Sequence, residues 1–273
     1  MRELTGKPVA DAINENLKPV ITDLKSKGIV PTLAVVRVGA REDDLAYERG
    51  LLKKFASMEC DVKVVELPED CTQEDLDDTV KTLDNDLTIH GILMFRPLPK
   101  HLTDKNIVAT ISAGKDVDSM GMANMANIFA GNGEGYAPCT AQAVIEMIKF
   151  YGIETKGKKV TVVGRSLVIG KPVALMLIKE NATVTVCHTR TADLKAECQA
   201  ADIIVAAAGV AKMIKSEYVR PGQVVLDVGM NVDEEGKLCG DVDFANCCEI
   251  VDAITPVPRG VGSVTTSVLL RNT

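Results

Sequence analysis

The chain has 273 residues, enough for two domains that each bury a core, and its 46% hydrophobic content is that of a folded globular protein. A formal net charge of −7 and 3% aromatic residues, with no tryptophan, argue against a nucleic-acid partner, which needs clustered Lys and Arg and stacking rings. The N-terminus MRELTGKPVADAINENL lacks the apolar core of a secretory signal, and no apolar run reaches the roughly 18 residues of a membrane span, so a cytoplasmic protein with no membrane partner is expected.

An amphipathic helix from about Gly6 to Lys27 precedes the strand TLAVVRV at 32–38. A second helix runs through Lys54 to DVKVVEL at 61–67, and the helical TQEDLDDTVKTLDND leads to GILMFRP at 91–97. The glycine-rich AGNGEGYAPCT at 130–140 reads as a linker between compact units. The helix AQAVIEMIKFYG follows, then KVTVVG at 159, ATVTVC at 182, DIIVAAAG at 202, QVVLDVGM at 223 and the shorter EIVDAITPVP at 249. Continuous Val and Ile runs alternating with helices are the pattern of parallel strands buried on both faces. The eight cysteines include no C-x-x-C, and His90, His101 and His188 fall in separate segments, so neither a disulfide framework nor a metal site is expected.

VVGRSLVIGKP at 162–172 carries the first functional signal. Gly164 ends a strand, Gly170 lies six residues on, and Pro172 suits the first turn of a helix. A phosphate is expected at that helix's N-terminus, where exposed N–H groups and the helix dipole favour an anion. The spacing is not G-x-G-x-x-G, so the turn alone fits either a nucleotide site or a plain strand-to-helix connection. The tip of the next strand, CHTRT, holds no carboxylate for a ribose hydroxyl but does hold Arg190, and Arg165 projects from the turn itself. Two guanidinium groups favour the 2′-phosphate of NADP over NAD; surface arginines beside solvent are the plainer alternative.

Taken together, VGRSLVIGKPVA, KDVD at 115–118, PCT at 138–140, DVGMN at 227–231, GDV at 240–242 and ITPVPRGVG at 254–262 resemble the bifunctional methylenetetrahydrofolate dehydrogenase/cyclohydrolases along nearly the whole chain. The resemblance implies two α/β domains flanking a cleft: residues 1–137 as a folate-binding catalytic domain, and 138–273 as a Rossmann-like, NADP-binding domain with a mainly parallel sheet. It also implies a homodimer formed through the cofactor domains. It places the folate-stacking tyrosine at Tyr47 and the pterin-binding aspartate at Asp118, the two residues expected at the centre of catalysis. A phenol ring suits a flat ligand and a carboxylate suits paired N–H donors, although a packed tyrosine and a helix-capping aspartate are the ordinary alternatives. Phe95, Leu98, Asn124, Pro258 and Gly260 are further substrate positions. Gly164, Arg165, Ser166, Gly170, Thr189, Arg190, Gly209, Gly229, Gly262 and Thr265 are the cofactor positions.

The departures from the family pattern bear on its second activity. The family's catalytic lysine, four residues after the tyrosine, falls on Leu51; its glutamine falls on Phe95; its serine falls on Asp44. Lys53 points about 240° away from Tyr47 around a helix, whereas Lys54 returns to the same face about 4.5 Å further along the axis than Leu51. The expectation is an NADP-dependent oxidation of 5,10-methylenetetrahydrofolate with weak or absent cyclohydrolase activity. A folate- or NADP-binding carrier without turnover and a two-domain dehydrogenase of another small substrate are the competing readings. Arg259, Ser263, Val264 and Ser119 also depart from the family pattern. The family continues a last helix beyond the point where this sequence stops, at Thr273, so a less rigid cleft is expected.

Overall fold

The computed structural model describes residues 1–273. The chain opens with β1 (Arg2–Glu3), α1 (Gly6–Ser26), β2 (Thr32–Val38), α2 (Glu42–Ser57), β3 (Asp61–Leu67), α3 (Gln73–Asn85) and β4 (Gly91–Met94). Two short helices, α4 (Lys105–Thr110) and α5 (Met122–Ala130), lead to α6 (Cys139–Phe150). Then come β5 (Lys159–Val163), α7 (Gly170–Lys179), β6 (Thr183–Cys187), α8 (Leu194–Ala200), β7 (Ile203–Ala206) and β8 (Val224–Asp227). The chain closes with β9 (Asn231–Val232), β10 (Leu238–Cys239), α9 (Phe244–Cys247), β11 (Ala253–Ile254) and α10 (Gly262–Asn272).

Two compact units result, and they differ from a single cut at 137/138. One comprises Met1–Asp11 with Thr140–Thr265; the other comprises Ala12–Cys139 with Thr266–Thr273. Both chain ends change sides because each finds its partners there. β1 pairs in parallel with β11, Arg2 opposite Ala253, and so joins the later strands. At the other end Asn272 donates from Nδ2 to the Val117 carbonyl (2.9 Å). The last helix, α10, spans Gly262–Asn272.

The three-stranded unit carries the parallel sheet β3-β2-β4. Alternate β2 residues Ala34, Val36 and Val38 pack with Leu76, Val80 and Leu83 of α3 and with Ile92 and Met94 of β4. α3 starts at a capping box: Thr72 and Asp75 each accept the other's backbone N–H, satisfying two donors a helix end leaves open. β4 stops short of the expected Pro97, since the Phe95 N–H still bonds Val36 (2.9 Å) but Pro97 has no N–H to extend the ladder.

The six-stranded unit is a parallel sheet in the order β6-β5-β7-β8-β11-β1. The central strands β7 and β8 are almost wholly apolar and buried, which suits strands covered on both faces. The chain runs from β5 to β6 on one side and then crosses back past β5 to β7 on the other, so the strand order reverses at β5, and the carboxyl end there is where open α/β sheets bind ligands. The strand-sized runs are read correctly from sequence. The two-residue strands β1, β9 and β10 are not, because two residues carry no periodicity.

The β5 turn depends on glycine. Gly164 sits at φ +131°, and a Cβ there would lie far inside van der Waals contact with the Ala207 carbonyl oxygen; a Cβ on Gly170 would collide with Gly164 itself. Gly157 also has positive φ, +74°, but nothing lies within 4 Å of its Cβ position. Gly164→Ala should therefore cost about 3 kcal/mol or more, from steric overlap added to backbone strain, whereas Gly157→Ala should cost about 1 to 2 kcal/mol. Urea unfolding midpoints of the two variants check this; equal losses would show that crowding at Ala207 contributes nothing.

Candidate active site

In the three-stranded unit, an ion-pair network centred on the buried Arg37 helps place α2. The Arg37 guanidinium donates to Glu48 of α2 (Nε, 2.8 Å), to Glu66 of β3 (Nη2, 2.7 Å) and to the Gly39 carbonyl (Nη1, 2.5 Å). Glu66 stands directly across the ladder from Arg37. These fork contacts satisfy a guanidinium that the sheet buries almost completely. Glu48 follows Tyr47, so the network sets the height and rotation of the segment that presents the tyrosine.

Tyr47 keeps 40% of its surface exposed, and its ring meets Phe95 at 5.6 Å between centroids with a 44° tilt. Leu51, one turn further along the same helix face, is fully buried. Asp44 is not available as an open carboxylate: Arg41 holds it bidentately at 2.9 and 2.8 Å. Lys54 is half-buried and Lys53 exposed.

The KDVD segment is built to present its last residue. Lys115 donates from Nζ to the carbonyls of Asp84 and Asp86 at the end of α3 (2.6 and 2.8 Å). Asp116 accepts the N–H groups of Met120 and Gly121 (2.7 and 2.8 Å), closing the following turn. Asp118 then accepts the N–H of Cys139, the first residue of α6, at 2.8 Å. The helix-capping reading of Asp118 is thus realised, yet a carboxylate has further lone pairs for a ligand's donors. Burial pushes the Asp118 carboxyl above the usual carboxylate range; the Cys139 N–H and the nearby Arg96 charge oppose the rise and Asp116 adds to it. Burial also raises the Tyr47 phenol, and the charge of Asp118 raises it further, which places the two groups within electrostatic reach.

Tyr47, Phe95 and Asp118 therefore share one locality, with Arg96 and Cys139 beside them. Two expected substrate residues do not join it directly. Asn124 is fully buried with both ends of its amide spent: Nδ2 donates to Ala113, to the Asp116 carbonyl and to Asp116 Oδ2 (3.1, 3.1 and 3.0 Å), and Oδ1 accepts from Tyr136. Its role is to pin α5 to the KDVD turn, which corrects its assignment as a substrate contact. Leu98 packs against the α3-side core and lines an open groove of about 800 Å³ with Pro97, Pro99 and His101.

The remaining expected residues lie in the six-stranded unit. Pro258 and Gly260 follow β11, where the Arg259 carbonyl accepts the N–H of Gly6 (2.7 Å). At the carboxyl edge of the sheet, Arg165, Ser166, Thr189 and Arg190 are exposed after β5 and β6. Gly209, at φ +68°, has nothing within 4 Å of its Cβ position and so leaves an open floor after β7. A Cβ on Gly262 would approach Met230 Cε at 3.3 Å, and Thr265 is half-buried on the first turn of α10. Gly229 is buried rather than open, and a Cβ there would overlap Asp241.

The start of α7 departs from the anion site expected there. Ser166 Oγ accepts the N–H groups of Ile169 (3.1 Å) and Gly170 (3.4 Å), the Ser166 carbonyl accepts that of Lys171 (3.0 Å), and Pro172 has none. The helix has already satisfied its first donors, so an anion at this edge depends on the Arg165 and Arg190 guanidiniums. Open space remains beside Gly209, whereas the side-chain position of Gly164 is filled by the Ala207 carbonyl.

Sequence reasoning missed Arg37, which reads as one cation in an apolar strand. It also missed the buried pair Asp227 and Asp241, although both sit in segments, DVGMN and GDV, that it singled out.

Two family models cover most of the chain. Residues 4–118 match the tetrahydrofolate dehydrogenase/cyclohydrolase catalytic domain, and residues 138–273 match its NAD(P)-binding domain. The bifunctional protein FolD of Carboxydothermus hydrogenoformans is 54% identical over 272 residues, 99% of this chain and 95% of that protein. The Clostridioides difficile protein of the same name is 50% identical over 98% of this chain and 94% of its own length. Among solved structures, the Campylobacter jejuni bifunctional enzyme FolD superposes with a TM-score of 0.97 at 39% identity, covering 100% of this chain and 96% of that one. The Trypanosoma brucei methylenetetrahydrofolate dehydrogenase-cyclohydrolase, solved with NADP and an inhibitor, gives 0.92 at 36% identity, covering 98% and 94%. With family models over both parts of the sequence and relatives half identical along almost its whole length, the chain belongs to the tetrahydrofolate dehydrogenase/cyclohydrolase family.

Proposed function

We propose that this protein oxidises 5,10-methylenetetrahydrofolate to the methenyl form with NADP, and that it hydrolyses the methenyl product poorly. The observation that carries the second half is the fully buried Leu51 one turn after Tyr47, with Phe95 against the same ring. Both stand where the family resemblance puts polar catalytic groups.

The dehydrogenase step asks these residues to orient a reduced pterin. The exposed face of Tyr47 supplies a stacking platform, and Asp118 supplies a charged acceptor for aminopyrimidine N–H groups. NADP, when bound, accepts the hydride released from the methylene carbon, while the folate nitrogens provide the electron push. The work left to the chain is alignment, which needs no proton-moving lysine. Water attack on the methenyl carbon does need such a group. Leucine and phenylalanine cannot supply one, and Asp44 is spent on Arg41. General acid–base help is commonly worth about 10² to 10⁴ in rate.

Purified protein given methylenetetrahydrofolate and NADP should form NADPH while the methenyl product accumulates. Its decay should stay near the uncatalysed rate and rise by about tenfold or more in a Leu51→Lys, Phe95→Gln double variant. Rapid enzyme-dependent methenyl decay in the wild type would overturn the split; binding of both ligands without NADPH formation would instead make the protein a carrier.

With the α7 donors internally satisfied, Arg165 and Arg190 carry the preference for the phosphorylated cofactor. Replacing either with Ala should raise KM for NADP by about 10- to 100-fold, the worth of a charge-assisted hydrogen bond, and leave KM for NAD nearly unchanged. Equal losses for the two dinucleotides would remove the 2′-phosphate assignment.

Asp118 makes binding and stability respond to pH in opposite senses. Its carboxylate form is the one that accepts ligand donors, so kcat/KM for the folate should rise with pH through a pKa above the ordinary carboxylate value of about 4. That pKa is higher in the folded state than in the unfolded chain, so the stability this group contributes is complete below the unfolded value and is lost as pH rises through the folded one. Asp118→Asn should remove this acid limb from the kcat/KM profile and flatten the matching slope in unfolding free energy; an unchanged limb would assign it to another group.

A further inference from the structure

Asp227 and Asp241 are nearly or wholly sealed from solvent, at 3% and 0% exposure, and neither has a Lys or Arg partner. A buried carboxylate without a counter-ion persists only if N–H donors replace its lost hydration. Here the donors come from backbone in a directed way, although burial still pushes the Asp227 carboxyl up to about 7. Asp227, at the end of β8, accepts the N–H groups of Gly229 (2.9 Å), Asp241 (3.0 Å) and Val242 (2.9 Å). That fixes the 241–242 backbone and aims the Asp241 side chain. Asp241 in turn accepts three consecutive N–H groups of the loop after β7: Ala208 (2.5 Å), Gly209 (3.0 Å) and Val210 (2.9 Å). Its Oδ1 also accepts Nδ2 of Asn231, which follows β8, at 2.9 Å.

Three successive N–H groups converging on one point form an anion nest of the kind that elsewhere holds a phosphate. In this chain the nest is filled by the protein's own carboxylate. The loop is thereby held with Gly209 facing open space, and Gly229 must be glycine because Asp241 occupies the space a side chain would need. Both loops leave the carboxyl edge of the sheet, next to the β5 switch point.

We propose that Asp241, aimed by Asp227, is a positioning residue for the dinucleotide: it locks the 208–210 and 229–231 loops into the shape that receives the cofactor. Because it neutralises the nest, it also confines phosphate recognition to the arginines after β5 and β6. The inference rests on the cofactor reading above, so the experiment tests the two separately.

Titration calorimetry of NADP into the purified apo-protein, with amide hydrogen exchange of the same samples, reads both. Wild type should bind NADP with residues 208–210 protected before any ligand is added. Asp241→Asn places an amide N–H₂ against N–H donors; it should speed exchange at 208–210 by about tenfold or more and weaken NADP binding by at least as much, with KM for the folate unchanged. Asn231→Ala removes a single bond and leaves the carboxylate its three backbone donors, so it retains the fold if Asp241→Asn does not. It should weaken NADP binding by about three- to tenfold. Faster exchange with unaltered NADP affinity would overturn the proposal and leave Asp241 a purely structural strut. Unchanged exchange in both variants would overturn it too. Failure of the wild type to bind NADP, with 208–210 protected, would sink the cofactor reading and the proposal's purpose with it, while the lock itself would stand.

Discussion

Where parallel strands end together, backbone donors and carbonyls crowd into one edge, and no neighbouring strand remains to pair them. This constraint shapes the six-stranded unit. Gly164 lets the chain turn against the Ala207 carbonyl, Ser166 takes the first donors of α7, and Asp241 takes the donors after β7. Each solution uses a small or anionic residue because each acceptor must reach main chain directly. The consequence is that these loop donors are already paired within the chain.

The three-stranded unit solves a different problem. A single cation, Arg37, sits within a strand that is otherwise apolar, and burying it costs several kcal/mol unless every N–H finds a partner. Glu48, Glu66 and the Gly39 carbonyl take three of its five, one from each nitrogen. Removing one partner would leave charge uncompensated, so the network ties α2 to a single rotational setting. That setting puts Tyr47 beside Phe95 and turns Leu51 inward. The same backbone support thus presents an apolar pair, Leu51 and Phe95, on the Tyr47 side of the unit.

The strands β2, β3, β5 and β8 are legible in the sequence because runs of Val, Ile and Leu bounded by polar or glycine residues have few other stable placements. Tyr47, Asp118 and Gly164 are legible as parts of patterned segments. Asp227 and Asp241 are not legible as a pair, since their partners are backbone N–H groups, which every residue but proline carries and no sequence pattern marks. Asn124, expected at the substrate from the family resemblance, spends its amide on main chain and on Asp116, partners that no sequence pattern marks either. The exchanged chain ends also escape sequence reading, because β1 is two residues long and only its register with β11 reveals its place.

Asp241 and Asp118 handle negative charge in contrasting ways. Asp241 is surrounded by donors in a closed arrangement with no room for another ligand, so its charge stabilises shape. Asp118 accepts one backbone N–H, stays half-buried and has a carboxyl that burial pushes upward. A carboxylate with few protein donors gains more from a ligand that brings its own, because such a ligand restores the hydration that burial removed. The same residue type therefore forms a closed internal clamp where the chain supplies several donors, as at Asp241, and keeps lone pairs open where it supplies one, as at Asp118.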